Sequence, residues 1–267
     1  MQLIIDPLTG LAGDMMIAAL LDAGAEHEEV MRVVRFAAEL LGRAEIVAES
    51  VRHGSMMGTR LRTSYRHDRS GMAAEVVREH LRRVQDEFSF TSEECGVSEK
   101  TLDVLCRAEA AAHARFERES HDHHDHAHQH APAPVHLHEA QDILVDICGT
   151  VRALRLLRVN LSAVTCLSPV RCGGGTITFS HGTFPAPAPA TRTIIAAHKI
   201  PTEEGPVSRE LLTPTGAALL AALAPRYALR EKNPVLPDAL SGTGWGSLVF
   251  DESVGLANGL RLYLQKG

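Results

Sequence analysis

Two hydrophobic periods alternate along this chain. Gln2 to Ile5 is a short apolar run ending at Asp6, and Pro7-Leu8-Thr9-Gly10-Leu11-Ala12-Gly13 then opens a helix from Asp14 to Ala23 that Gly24 stops. A second helix, Glu28 to Leu41, buries Val30, Val33, Val34 and Ala37 and closes at Gly42. Ala44 to Val51 and Thr59 to Tyr65 alternate as a strand pair joined through His53-Gly54. Helices are expected over Ala73 to Phe88 and over Ser98 to Glu119, the latter capped by Ser98.

Further along, Ile143, Leu144, Ile147, Val151, Leu154 and Leu157 mark one face of a helix running to Arg158, and Val164 to Val170 reads as a buried strand. Gly173-Gly174-Gly175 turns into a strand at Thr176 to Phe179, and Pro185, Pro187 and Pro189 force an extended entry to a helix starting near Ala190. Thr213-Pro214-Thr215-Gly216 opens an apolar helix, and Gly259 to Leu264 is a closing strand. The single tryptophan, Trp245, stands among glycines as a packing device. The pattern predicts an α+β fold, a mixed sheet covered by helices. Residues 1–119 and 135–267 are two α/β parts, with separate cores or one shared core, and 120–134 is a mobile His-rich loop.

Composition narrows the functional classes. With 267 residues and 45% hydrophobic content the chain is globular, and a net charge of -6 argues against nucleic acid or an anionic membrane as partner. The five cysteines show no CxxC spacing, so neither a disulfide framework nor a thiolate zinc site is indicated. No run approaches the ~18 apolar residues of a membrane span and no targeting segment is evident, so a cytoplasmic protein is expected.

Ligand chemistry is concentrated from His121 to Asp146. Eight of the fifteen histidines lie between His121 and His138: His121, His123, His124, His126, His128, His130, His136 and His138. Imidazole suits zinc, copper and nickel, whereas magnesium and calcium prefer oxygen, so the tract reads as a transition-metal site without naming the metal. From 121 to 134 no apolar residue larger than alanine or proline offsets the cost of ordering the backbone. In Val135-His136-Leu137-His138 an extended backbone puts both imidazoles on one side, with Glu139 next to them. Asp142 and Asp146 then share a helix face, either as ligands or as a solvated surface. His67 and Asp68 are lesser candidates for the same site.

Two helix starts offer free N–H groups to an anion: Gly10 and Gly13 before the first helix, and Thr213, Thr215 and Gly216 at the later one. Both also read as plain caps. Asp6 at a strand end and Asp14 at a helix start are the candidate catalytic carboxylates.

DPLTGLAGDM at the start, the histidine tract, VHLHE, HGTFPAPAPA, LLTPTG and the closing glycine-rich strands together resemble the LarC nickel-insertion family over nearly the whole chain. The resemblance implies a nickel chelatase that inserts nickel into pyridinium-3,5-bisthiocarboxylic acid mononucleotide to complete the pincer cofactor of lactate racemase. It also implies CTP hydrolysis with a divalent cation, magnesium or manganese, and a further C-terminal domain associated with CTP that this chain lacks. His136, His138 and Glu139 are then the expected nickel donors, with Asp6, Asp14 and Thr215 near the organic substrate. A homo-oligomer, lactate racemase and a separate C-terminal domain are the expected protein partners. A non-catalytic nickel store and a metal-dependent phosphohydrolase built on Asp6 and Asp14 are the rival readings.

Overall fold

The computed structural model describes residues 1–66, 71–121, 135–179, 182–230, 238–250, 255 and 257–266. In chain order these form β1 (Gln2–Asp6), α1 (Gly13–Asp22), α2 (His27–Glu39), β2 (Arg43–His53), β3 (Met56–Arg66), β4 (Met72–Ala73), α3 (Ala74–Glu87), α4 (Ser92–His121), β5 (His136–Leu137) and α5 (Ala140–Leu156). After a short 3-10 turn come β6 (Val164–Ser168), β7 (Val170–Arg171), β8 (Thr176–Phe179), β9 (Gly182–Pro185), α6 (Pro189–His198), β10 (Thr202–Glu203), α7 (Pro214–Leu223), β11 (Arg226–Leu229), β12 (Leu240–Trp245) and β13 (Gly259–Gln265). The mixed sheet covered by helices is as expected. His67, Asp68, His123, His124, His126, His128 and His130 lie outside the described residues.

Seven strands form the main sheet in the order β11-β6-β1-β13-β12-β3-β2. β1 runs parallel to β6 and antiparallel to β13, so the first strand is held between two strands from the far end of the sequence. β2 and β3 pair in full antiparallel register from Arg43↔Arg66 to His53↔Met56, as their alternation predicts. β12 joins this hairpin to β13. Leu3, Ile5, Leu61, Leu260, Leu262 and Leu264 point from the sheet into a core completed by α1 and α5. Trp245 is fully buried, its indole N–H donating to the Val51 carbonyl at 3.2 Å, which pins β12 to β2.

Helix starts differ from expectation in one place. α4 begins at Ser92, six residues before the expected Ser98 cap. Thr91 and Glu94 close a reciprocal capping box there: the Glu94 carboxylate accepts from Thr91 N at 2.7 Å, and the Thr91 hydroxyl accepts from Glu94 N at 3.3 Å. Ser98 sits inside the helix, its hydroxyl donating to the Glu94 carbonyl at 2.8 Å. The other end of Glu94 faces Arg152 of α5 at 3.4 Å, a buried pair that ties α4 to α5. No described helix is long and apolar enough to cross a membrane.

Candidate functional site

Four helix starts converge on one cavity of about 660 Å³. The residues capping the N-termini of α1, α5, α6 and α7 are Ala12, Glu139, Ala188 and Thr213, and all four line it. β3 contributes Thr63, α4 contributes Leu105, Glu109 and Ala112, and Ile177 and Thr178 come from the β8 strand. The volume falls within the range of about 300–1,000 Å³ usual for small-molecule sites.

The lining is acidic. Asp14, Glu109, Glu139, Asp142, Asp146 and Glu210 all border the cavity, and among the described residues no lysine or arginine does. Each helix start supplies about half a positive charge, so four give about two, well short of six ionised carboxylates. The carboxyl groups respond by holding protons. Burial, opposed by a hydrogen bond from Met15 N, raises Asp14 to about 6. Burial and the neighbouring Asp14 raise Asp142 to about 7. Asp146 is pushed well above the carboxylate range by burial and by both of those aspartates. Burial alone brings Glu109 to about 7, and burial also raises Glu210.

Local structure explains this assembly. Asp142 and Asp146 stand one turn apart on α5, so their side chains share a face, as the spacing predicts. Asp146 is 2% exposed and packs on Gly13, where any Cβ would collide with its carboxyl group; that contact sets it beside Asp14. The Thr215 hydroxyl opposes the upward shift of Asp146, whose Oδ1 is buried without a hydrogen-bond partner. The Tyr65 hydroxyl donates to Asp142 Oδ1 at 3.0 Å. Glu210 accepts from Ala188 N at 2.6 Å, so a protein carboxylate already occupies the start of α6.

The predicted residues divide sharply. Asp14, Thr213, Thr215, His138 and Glu139 border the cavity together. His136 lies on the exposed side of β5 and His138 in the turn after it, with the His136 Cβ and the His138 ring both near Gly71. His138 also stacks on His113, ring centroids 6.4 Å apart. Asp6 is outside the cavity lining; Arg230 Nε donates to its Oδ1 at 2.8 Å. Gly10, with φ of +112°, and Gly216 are filled by backbone: a Cβ at Gly10 would strike the Leu211 carbonyl, and one at Gly216 the Leu11 carbonyl. Leu11 N donates to Leu211 O at 2.9 Å and Thr213 N to Leu11 O at 3.1 Å, so these glycines serve chain packing, not a phosphate cradle. His121 is the last residue of α4. Sequence reasoning missed Tyr65, Glu109 and Glu210. The one available signal was the strand period, which places Thr63 and Tyr65 on the same side as buried Leu61.

Among the described residues, no three His, Cys, Asp or Glu side chains are already drawn together around one point. The carboxyl groups of Asp14, Asp142 and Asp146 feel one another electrostatically without being drawn together.

Residues 3–267 match the family described as nickel insertion protein. A relative from Methanothrix thermoacetophila, provisionally named a nickel insertion protein, is 32% identical over 98% of this chain and 58% of its own length. One from Syntrophobacter fumaroxidans with the same name is 34% identical over 90% of this chain and 54% of its own. A third, from Akkermansia muciniphila, is named pyridinium-3,5-bisthiocarboxylic acid mononucleotide nickel insertion protein and is 33% identical over 91% of this chain and 55% of its own. The chain thus spans a little over half the length of these relatives. No solved structure matches it significantly. The match across nearly every described element places the acidic cavity in a known context: the chain belongs to the nickel insertion protein family.

Proposed function

We propose that this chain inserts nickel into pyridinium-3,5-bisthiocarboxylic acid mononucleotide, the substrate in the Akkermansia relative's name, and so acts as a nickel chelatase of the lyase class. The observation that supports this reading is the cavity: it has the volume for a mononucleotide, and its six carboxyl groups and His138 attract cations with no lysine or arginine among the described lining residues to compete. An anionic nucleotide enters such a cavity only in company with cations, which nickel as co-substrate supplies. His136, His138 and Glu139 act as donors at its edge. The histidines from His121 to His130 act as a reservoir. The product serves lactate racemase in the cytoplasm.

Transfer follows from ligand softness. Nickel held by imidazole and carboxylate moves towards thiocarboxylate sulfur and a carbon donor, which bind it more covalently, so the protein's task is to hold the ion weakly and the organic acceptor in line. Asp14 and Thr215 border the acceptor; Asp6, paired with Arg230, has a structural role in this reading. CTP with magnesium or manganese supports the reaction, and the cation offsets the repulsion between phosphate and the carboxylates. A C-terminal domain supplied in trans carries the CTP in this scheme.

The test is an insertion assay on the purified chain with nickel, CTP and the thiocarboxylated nucleotide, with and without a C-terminal domain from a longer relative. Nickel-bearing nucleotide is the expected product, and His138→Ala should lower its yield about ten- to hundredfold. Nickel binding with no nucleotide product under either condition would reduce the chain to a nickel store.

A further inference from the structure

We propose that the β8–β9 hairpin is a flap that lays Ile177 and Thr178 against a pyridinium mononucleotide in the cavity, and that Glu210 is the positioning residue that holds both arms of the hairpin at its base. The identity of the ligand rests on the insertion reading above; the flap and its anchor rest on the structure.

The hairpin stands at the mouth of the cavity. Among the described residues β8 and β9 pair only with each other, from Thr176↔Pro185 to Phe179↔Gly182, and take no part in the seven-stranded sheet. Thr176, Thr178, Thr183 and Pro185 are exposed, yet Ile177 and Thr178 border the cavity, so solvent lies on one side of the hairpin and the cavity on the other. A two-stranded ribbon is marginal on its own in water, so its order depends on its base and on what lies beneath it. Ile177 brings apolar surface to a lining rich in carboxyl groups, which suits the face of a flat heteroaromatic ring.

Glu210 joins the two arms. Its backbone pairs with Gly173, ahead of the first arm, in an isolated antiparallel bridge; beside it Gly174 N donates to Arg209 O at 3.2 Å and Leu211 N to Cys172 O at 3.2 Å. Its carboxyl group reaches the chain just after the second arm, accepting from Ala188 N at 2.6 Å and from the Thr191 hydroxyl at 3.4 Å. One residue from outside the hairpin thus fixes the spacing of both ends, and Ala186 N donating to Gly175 O at 2.9 Å closes the base between them. Gly173 and Gly175, with φ of +82° and +73°, let the first arm approach so closely that a Cβ on either would strike a carbonyl oxygen, of Arg209 and Ser208 respectively. The Arg192 guanidinium holds the second arm, donating to the carbonyls of Pro185 at 2.6 Å and Pro187 at 2.9 Å. Burial favours the protonated form of Glu210, so its contact needs an acceptor in the right place and not a charge.

Nicotinic acid mononucleotide, a pyridinium nucleotide with one ring carboxylate, is the probe, and hydrogen–deuterium exchange of the full chain is the readout. Saturating probe should slow exchange over residues 176–179 and 182–184 about tenfold. Ile177→Ala should weaken probe binding about tenfold through lost apolar contact. Without probe, Glu210→Ala should speed exchange of the same residues about tenfold, whereas Glu210→Gln, which keeps an oxygen acceptor in place, should restore the wild-type rate. If Glu210→Ala does not fold, Glu210→Asp, whose carboxyl group falls one methylene short, decides by the same readout. Probe bound by the wild type with unchanged exchange in the hairpin, or bound equally by Ile177→Ala, would overturn the flap. Glu210→Ala exchanging like the wild type, or Glu210→Gln exchanging like Glu210→Ala, would overturn the positioning role. A wild type that binds no probe, with the hairpin still loosened by Glu210→Ala and restored by Glu210→Gln, would uphold the anchor and remove the nucleotide reading instead.

Discussion

Asp6 and Asp14 look alike in the sequence, each an aspartate at the junction of an element and a glycine-rich turn, yet they end in different chemistry. What separates them is a partner 224 positions away: Arg230 closes on Asp6 and satisfies it, whereas among the described residues no such cation reaches Asp14. No local pattern carries that information. Asp6→Asn should therefore lower the melting temperature by a few degrees, corresponding to roughly 1–2 kcal/mol for a charge-assisted hydrogen bond, and leave nickel binding unchanged. Gly13→Ala should do more, because its methyl group lands on the Asp146 carboxyl. Its expected signature is a melting temperature below that of Asp6→Asn; a Gly13→Ala protein that melts like the wild type would mean the Asp146 carboxyl is placed by other contacts.

Secondary elements were largely legible, and the departures have identifiable causes. The strand pair β2–β3, the helices α1 and α2 and the closing strand follow hydrophobic periods of two and 3.6 that persist over their whole length. α4 was shortened because Gly96 interrupts its first turns, while the Thr91–Glu94 capping box that starts it lies upstream. Gly96 is exposed, and a Cβ there would meet nothing within 4 Å. Gly96→Ala should accordingly stabilise the protein by about 0.5–1 kcal/mol, chiefly by removing unfolded-state freedom, and chemical denaturation would register this as a higher midpoint at unchanged slope. A lower midpoint would show that the helix needs the glycine. The two-residue strands β4, β5, β7 and β10 are too short for any period to reveal; tertiary pairing alone makes them.

The cavity exists only at the scale of the whole molecule. Its carboxyl groups come from α1, α4, α5 and the segments before α5 and α7, and four helices must dock before their N-termini face one space. The sequence shows the ligand-rich segment and the helix starts, but not that the starts would be filled by the protein's own carboxylates. That convergence has a measurable consequence in the metal-free protein. Glu109, raised from 4.5 to about 7 by burial alone, binds its proton more tightly when folded than when unfolded. A carboxyl group shifted upwards contributes stability that is fully present below about pH 4.5 and is lost as pH rises through about 7. Asp14, at about 6, and Asp142, at about 7, act in the same direction. The metal-free chain should therefore melt at a higher temperature at pH 6 than at pH 8. Glu109→Gln, which keeps the shape and removes the titration, should narrow that difference without abolishing it, because the aspartates still titrate. A divalent cation added at pH 8 should recover the stability, since it supplies the positive charge that protons supplied at pH 6. Equal melting temperatures at the two pH values, or a variant with the full wild-type difference, would show that water or mobile counter-ions already neutralise the cavity.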